Sequence, residues 1–238
     1  TKGLVPGSDA VPLTYAEAFP EMLRGRGLSL PFVGIGGPCI ARELAERRPT
    51  RVVYGSASPT AAEALKTVFE TPYYRVDLSD DPVGIEACAA LKNFYAIGVS
   101  AMLGRHLRDG VAVKNPVAGA FQQAVDEMAL LAPWIGGRRE SAFGLSGVGD
   151  LHVTVGGGRN SRLGRHLGEG MSVQQAMSGP LAGETVEGVD VGRVLGPHLE
   201  AAFADGALDR SQFTLAPALI RAIFEGGPFG YDVSVGAA

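Results

Sequence analysis

The chain reads as an α/β region followed by an all-helical one. Over residues 1–79, short β-branched or apolar runs alternate with helix-periodic segments. Such alternation builds a parallel sheet flanked by helices. From about Asp80 helical runs dominate and strand runs become rare. Turn glycines and prolines separate these later helices. The change of texture near Leu78–Pro82 divides the chain into residues 1–79 and 80–238.

In order, Tyr15–Arg24 has helical spacing, and Leu30–Gly34 is an apolar run bounded by proline and glycine, hence a buried strand. Ala41–Arg47 is helical, Arg51–Tyr54 strand-like, Thr60–Phe69 helical behind Pro59, and Tyr73–Val76 a last strand. The helical part comprises 82–107, 116–131, 160–168, 172–178, 188–204 and 214–225. About 79 residues are few for an open doubly wound sheet, so strands are expected to be missing from the front.

Of 238 residues, 46% are hydrophobic and 19% charged, enough to bury a core. A net charge of −4 offers no electrostatic case for nucleic acid. Two cysteines, Cys39 and Cys88, cannot form a disulfide framework and fit a reducing, cytoplasmic setting. The first residues lack a basic-then-apolar leader. The most apolar stretch, Val83 to Leu107, carries Glu86, Lys92 and Asn93. A charge at a bilayer centre costs about 2.5–3.5 kcal/mol on insertion scales. A buried helix is therefore expected, with no membrane span. Glycine is in excess, 34 of 238 residues, and only four of the 21 basic residues are lysines (Lys2, Lys66, Lys92, Lys114).

Three segments carry chemistry. Phe32-Val33-Gly34-Ile35-Gly36-Gly37-Pro38-Cys39 resembles a strand leading into a glycine-rich turn. It lacks the third glycine of a dinucleotide fingerprint, and Gly55-Ser56 stands where a ribose-binding acid belongs. It reads better as a strand end whose backbone approaches a ligand. In the second segment, Lys92 has Cys88, Ala89, Tyr95 and Ala96 three and four positions away. Either it snorkels to the surface or it is buried with a task. Desolvation disfavours the charged ammonium and suits it to proton transfer. In the third, Gly156-Gly157-Gly158-Arg159-Asn160-Ser161 leads into a helix. Backbone N–H groups with Arg159 would hold an anion such as phosphate. The plainer reading is a surface helix capped by Asn160 or Ser161. Asp150 is a cap or a partner for a buried cation. There is no Walker loop and no zinc-type histidine pattern.

Together, Thr1-Lys2-Gly3, Gly37-Pro38-Cys39-Ile40-Ala41-Arg42-Glu43-Leu44, Ala90-Leu91-Lys92-Asn93, Gly147-Val148-Gly149-Asp150-Leu151, Gly157-Gly158-Arg159-Asn160 and Val186-Glu187-Gly188-Val189 occur in an order that resembles the NAD(P)-dependent glycerol-3-phosphate dehydrogenases. The resemblance implies the C-terminal part of a Rossmann-type parallel sheet (1–79) followed by a helical catalytic domain (80–238). It implies NAD or NADP as cofactor, a small phosphorylated substrate, and a homodimer. Lys92 would be the catalytic acid/base and Asp150 its catalytic partner. Lys2, Gly37, Cys39, Asn93, Gly158, Arg159 and Asn160 would bind substrate. Lys2, Ala41, Arg159, Thr185 and Glu187 would bind cofactor. Cys39 departs from the family's hydroxyl residue and is a poor hydrogen-bond partner. The family's Gly-x-Gly-x-x-Gly unit would precede Lys2 by roughly a hundred residues, so the chain is expected to be part of a longer protein whose activity needs that portion. Rival readings are a dehydrogenase of another phosphorylated ketone or polyol, a 3-hydroxyacid dehydrogenase, and a non-catalytic fragment lacking the cofactor-binding front.

Overall fold

The computed structural model describes residues 2–7, 11–111 and 114–232. By compactness the chain divides into two units, residues 1–89 with 128–151, and residues 90–127 with 152–238. The texture change at 79/80 marks where strands stop. The compact first unit also takes in residues 80–89 and the later segment 128–151.

The first unit opens with α1 (Tyr15–Arg24), whose start is held by Glu17 accepting from the Thr14 backbone N–H at 3.0 Å. Then come β1 (Gly34–Gly36), α2 (Ala41–Ala45), β2 (Thr50–Gly55), α3 (Pro59–Phe69) and β3 (Tyr74–Ser79). Ser58 caps α3 by accepting from the Ala61 N–H, and Pro59 supplies a pre-set first-turn φ. β2 and β3 are parallel, with Val52 opposite Val76 and Tyr54 opposite Leu78. Val52, Tyr54 and Val76 form a buried cluster, against which Val33, Leu65 and Tyr74 pack.

Two expectations are corrected here. The sheet is mixed, because β1 runs antiparallel to β2. The first strand is not Leu30–Gly34 but Gly34–Gly36. Pro31 has no N–H for a ladder, and the paired positions demand glycine. A Cβ on Gly34 would lie 2.7 Å from Glu86 Oε1, and one on Gly36 would lie 2.7 Å from Ser146 Cβ. The predicted helix 41–47 also ends earlier, at Ala45, with Arg47 in the left-handed region at φ 57°.

The long helix α4 (Pro82–Arg108) opens beside Asp81. That buried carboxylate accepts from the Gly84 N–H at 3.0 Å, the Arg138 N–H at 2.9 Å and the Ser141 hydroxyl at 2.6 Å. By length and composition α4 could cross a membrane, but 94% of its most apolar window is buried inside the protein. It is a core helix. α5 (Asn115–Trp134) follows. After it come a 3₁₀ segment over Arg139–Phe143, a π-helical turn over Leu145–Gly149 and α6 (Asp150–Gly156). α6 was not foreseen. Its Val153-Thr154-Val155 run is β-branched, and tertiary packing overrides that weak preference.

The second unit holds most of α4 and α5 with α7 (Arg159–Gly168), α8 (Val173–Ser178), α9 (Glu187–Asp205) and α10 (Leu215–Phe224). α7 lies tight against α4. A Cβ on Gly164 would meet Ile97 O at 2.2 Å, and one on Gly168 would meet Ala101 O at 2.0 Å. Between these backbones the Ser100 hydroxyl donates to Ser161 Oγ at 3.2 Å. Glu127 on α5 is fully buried and organises the start of α10. Its carboxylate accepts from the N–H groups of Thr214, Leu215 and Ala216 at 2.7–2.8 Å and from the Tyr95 hydroxyl at 3.0 Å.

Candidate active site

In the first unit the structure brings Lys2 and Asp150 together, with the ammonium 2.5 Å from Asp150 Oδ2. Asp150 is buried at the start of α6. Cys39 is exposed in the turn after β1, within electrostatic reach of this pair. Partial burial raises its thiol pKa, Lys2 offsets part of that, and Asp150 adds to it. Gly37, at φ 116°, lets the turn press onto the sheet, where a Cβ would stand 3.2 Å from Val52 Cα. Ala41 opens α2 and lines an apolar cavity of about 520 Å³ with Ile35, Leu44, Tyr54 and Phe69. Glu86 is buried beneath Gly34. Burial pushes its carboxyl up to about 7, with Lys2 pulling the other way. A larger cavity of about 890 Å³, walled by Arg51, Asp77, Asp81 and Arg138, contains none of the expected site residues.

In the second unit Lys92 is 6% exposed, and its ammonium donates to Thr154 Oγ1 at 2.7 Å. Of the two readings open to this lysine, burial is the one found. Beside it, Asn93 Oδ1 accepts from Asn160 Nδ2 at 3.0 Å, and Asn160 Oδ1 accepts from the Gly188 N–H at 2.9 Å. The buried Asn160 amide therefore ties α4, α7 and the start of α9 together. A Cβ on Gly188 would lie 2.4 Å from Asn93 O, so glycine is required for that approach. Next to these two anchors, Arg159 and Glu187 form an ion pair, and Thr185 is exposed just before α9.

The capping reading of the glycine-rich segment is corrected. The N-cap of α7 is Gly158, at φ 96°, and it offers no side-chain cap. Asn160 and the Ser161 hydroxyl, which donates to Val155 O at 2.9 Å, turn into the protein instead. Around Gly156, Gly157 and Gly158 nothing lies within 4 Å of a built Cβ. An uncapped helix start with open space and an arginine suits an anion.

Thr154 is the residue that reading by sequence missed. The available signal was its spacing, since Asp150 and Thr154 stand i,i+4, one turn apart on α6.

Residues 81–225, more than half of the chain, match the family model for the C-terminus of NAD-dependent glycerol-3-phosphate dehydrogenase. The chain belongs to this family. It is 39% identical over 230 residues to the NADP(+)-dependent glycerol-3-phosphate dehydrogenase of Archaeoglobus fulgidus, covering 95% of this chain and 65% of that protein. It is 37% identical over 191 residues to the glycerol-3-phosphate dehydrogenase [NAD(P)+] of Acidobacterium capsulatum, covering 79% of this chain and 54% of that one. Among solved structures, the glycerol-3-phosphate dehydrogenase of Coxiella burnetii superposes with a TM-score of 0.76 at 28% identity, over 96% of this chain and 64% of that one. The chain thus spans between about half and two-thirds of the length of these relatives. Its fold is the C-terminal portion of a Rossmann-type sheet followed by the helical part of these dehydrogenases.

Proposed function

We propose that this chain is the larger part of a cytoplasmic, homodimeric NAD(P)-dependent glycerol-3-phosphate dehydrogenase. The reaction would move a hydride reversibly between NAD(P)H and C2 of dihydroxyacetone phosphate, giving sn-glycerol 3-phosphate. The observation that carries this reading is Lys92, a buried ammonium on an apolar helix, aimed by Thr154 and placed beside Asn93. The family similarity supports the substrate class. Under this reading residues 1–79 belong to a dinucleotide-binding domain and 80–238 to the catalytic one.

The cofactor, when bound, supplies or takes the hydride. Lys2, Ala41, Arg159, Thr185 and Glu187 would hold it, and the open backbone at Gly156–Gly158 leaves room for a phosphate-bearing ligand. Lys92 donates a proton to the alkoxide oxygen that develops at C2 and takes it back in oxidation. Its hydrogen bond to Thr154 fixes the ammonium before the substrate arrives, which lowers the reorganisation needed in the transition state. Asp150 pairs with Lys2, which leaves no uncompensated buried carboxylate and would hold that ammonium ready for substrate or cofactor. Arg159 and the α7 N–H groups meet the substrate phosphate, with Gly158 giving the backbone its turn. Gly37 and Cys39, in the turn after β1, would bind substrate, and Asn93 would contact a substrate hydroxyl while Asn160 keeps it in place.

In the longer protein that carries the cofactor-binding front, replacing Lys92 by Ala should lower turnover with dihydroxyacetone phosphate and NADH or NADPH by at least about a hundredfold, the scale of a positioned acid–base group. Near-normal turnover in Lys92→Ala overturns the assignment. Cys39, a thiol where the family resemblance leads one to expect a hydroxyl, favours a panel of other phosphorylated ketones and polyols as the second assay.

A further inference from the structure

Glu184 and Glu187 lie in the segment that leads into α9, and each faces an arginine of α7. Arg159 pairs with Glu187, and Arg162 pairs with Glu184. The arginine side chains are 48% exposed and the glutamates 31–33%, so solvent and solutes reach both pairs. A guanidinium fork recognises a carboxylate and a phosphate through the same geometry. These arginines also stand at a helix start that no side chain caps, behind three glycines with open space around them. The competitor is anchored, because the N–H of Gly188, next to Glu187, donates to Asn160 Oδ1 at 2.9 Å.

We infer that Glu187 and Glu184 are built-in competitors for the arginines of α7 and that they hold down the affinity of this site for anions. The inference rests on the reading above in which Arg159 meets the substrate phosphate. Any anion that enters must first break the same ion pairs, so that cost is common to carboxylates and phosphates. A phosphate carries about two charges near neutral pH and more acceptor oxygens, so it gains more from the freed guanidinium but also meets more repulsion from the displaced glutamate. The glutamates therefore weaken all anions, and dianions at least as much as monoanions. An exposed arginine–carboxylate pair is worth little, which sets the expected effect at about two- to fivefold in affinity per pair.

Calorimetric titration of the full 238-residue chain with sn-glycerol 3-phosphate, inorganic phosphate and glycerate tests this. Glu187→Gln, which keeps the side-chain shape, should tighten both phosphates about two- to fivefold, and Glu184→Gln should act in the same direction. The double variant should gain the most, and the phosphates should gain at least as much as glycerate. Arg159→Gln should weaken the phosphates at least as much as the glutamate variants tighten them. If Arg159→Gln weakens binding but neither glutamate variant tightens it, competition is wrong while the phosphate reading stands. If Arg159→Gln changes nothing, or no phosphate binds at all, the phosphate reading fails and takes the inference with it.

Discussion

Lys92 shows how a single charged residue comes to be held inside an apolar helix. An ammonium among Cys88, Ala89, Tyr95 and Ala96 has no reason to stay there unless something accepts its hydrogens, and Thr154 does so at 2.7 Å. A hydrogen bond to a charged group contributes about 1.5–3 kcal/mol. Thr154→Val keeps the β-branched shape and removes the acceptor. Its kcat should fall about ten- to a hundredfold, and the pH dependence of kcat/KM should move with it. Thr154→Ser should restore most of the rate. A Val variant with an unchanged pH profile would show that the contact is only packing.

The elements owe their positions to a few contacts that propensity does not encode. α10 begins where Glu127 collects three backbone N–H groups, and the same carboxylate takes the Tyr95 hydroxyl. Burial raises the Glu127 pKa, while the Gln123 side chain and those N–H groups work against the rise. Glu127→Ala would leave these donors buried without an acceptor. It should destabilise the fold by roughly 3 kcal/mol or more, read from the urea midpoint at unchanged slope. α7 and α4 approach so closely that Gly164→Ala places a methyl 2.2 Å from Ile97 O. Because backbone must move, we expect a loss of about 1–3 kcal/mol, the usual cost of overpacking. A Gly164→Ala variant with wild-type stability would mean that the two helices separate freely.

For the whole molecule, the response to pH carries a definite sign. Glu86 is buried, and its carboxyl is raised from 4.5 to about 7. The folded chain then binds more protons than the unfolded one between those values. Stability is fully present below about 4.5 and declines as pH rises through about 7. The loss is on the order of 3 kcal/mol at the usual 1.36 kcal/mol per pH unit. Glu86→Gln should flatten that decline in thermal or urea unfolding measured from pH 4 to 8. A Gln variant with the same slope would assign the decline to other groups.

Helix positions over most of the chain were legible in the amino-acid order, because apolar periodicity, Pro59 and the turn glycines report local preference directly. Of the expected site residues, the second unit buries Lys92 against Thr154, ties Asn93 to Asn160 and pairs Arg159 with Glu187. Three features were not legible. The antiparallel β1 depends on space under Gly34 and Gly36 that Glu86 and Ser146 define. The helix holding Asp150 and Thr154 forms against the local preference of Val153–Val155. The glycine-rich turn before α7 has no side-chain cap because Asn160 and Ser161 find partners elsewhere in the fold. Sequence alone determined the family and most of the helices, since these rest on local pattern and residue chemistry. Tertiary structure decided strand direction, the partner of each charge and the open helix start, because each depends on what residues distant in the chain place within a few ångströms.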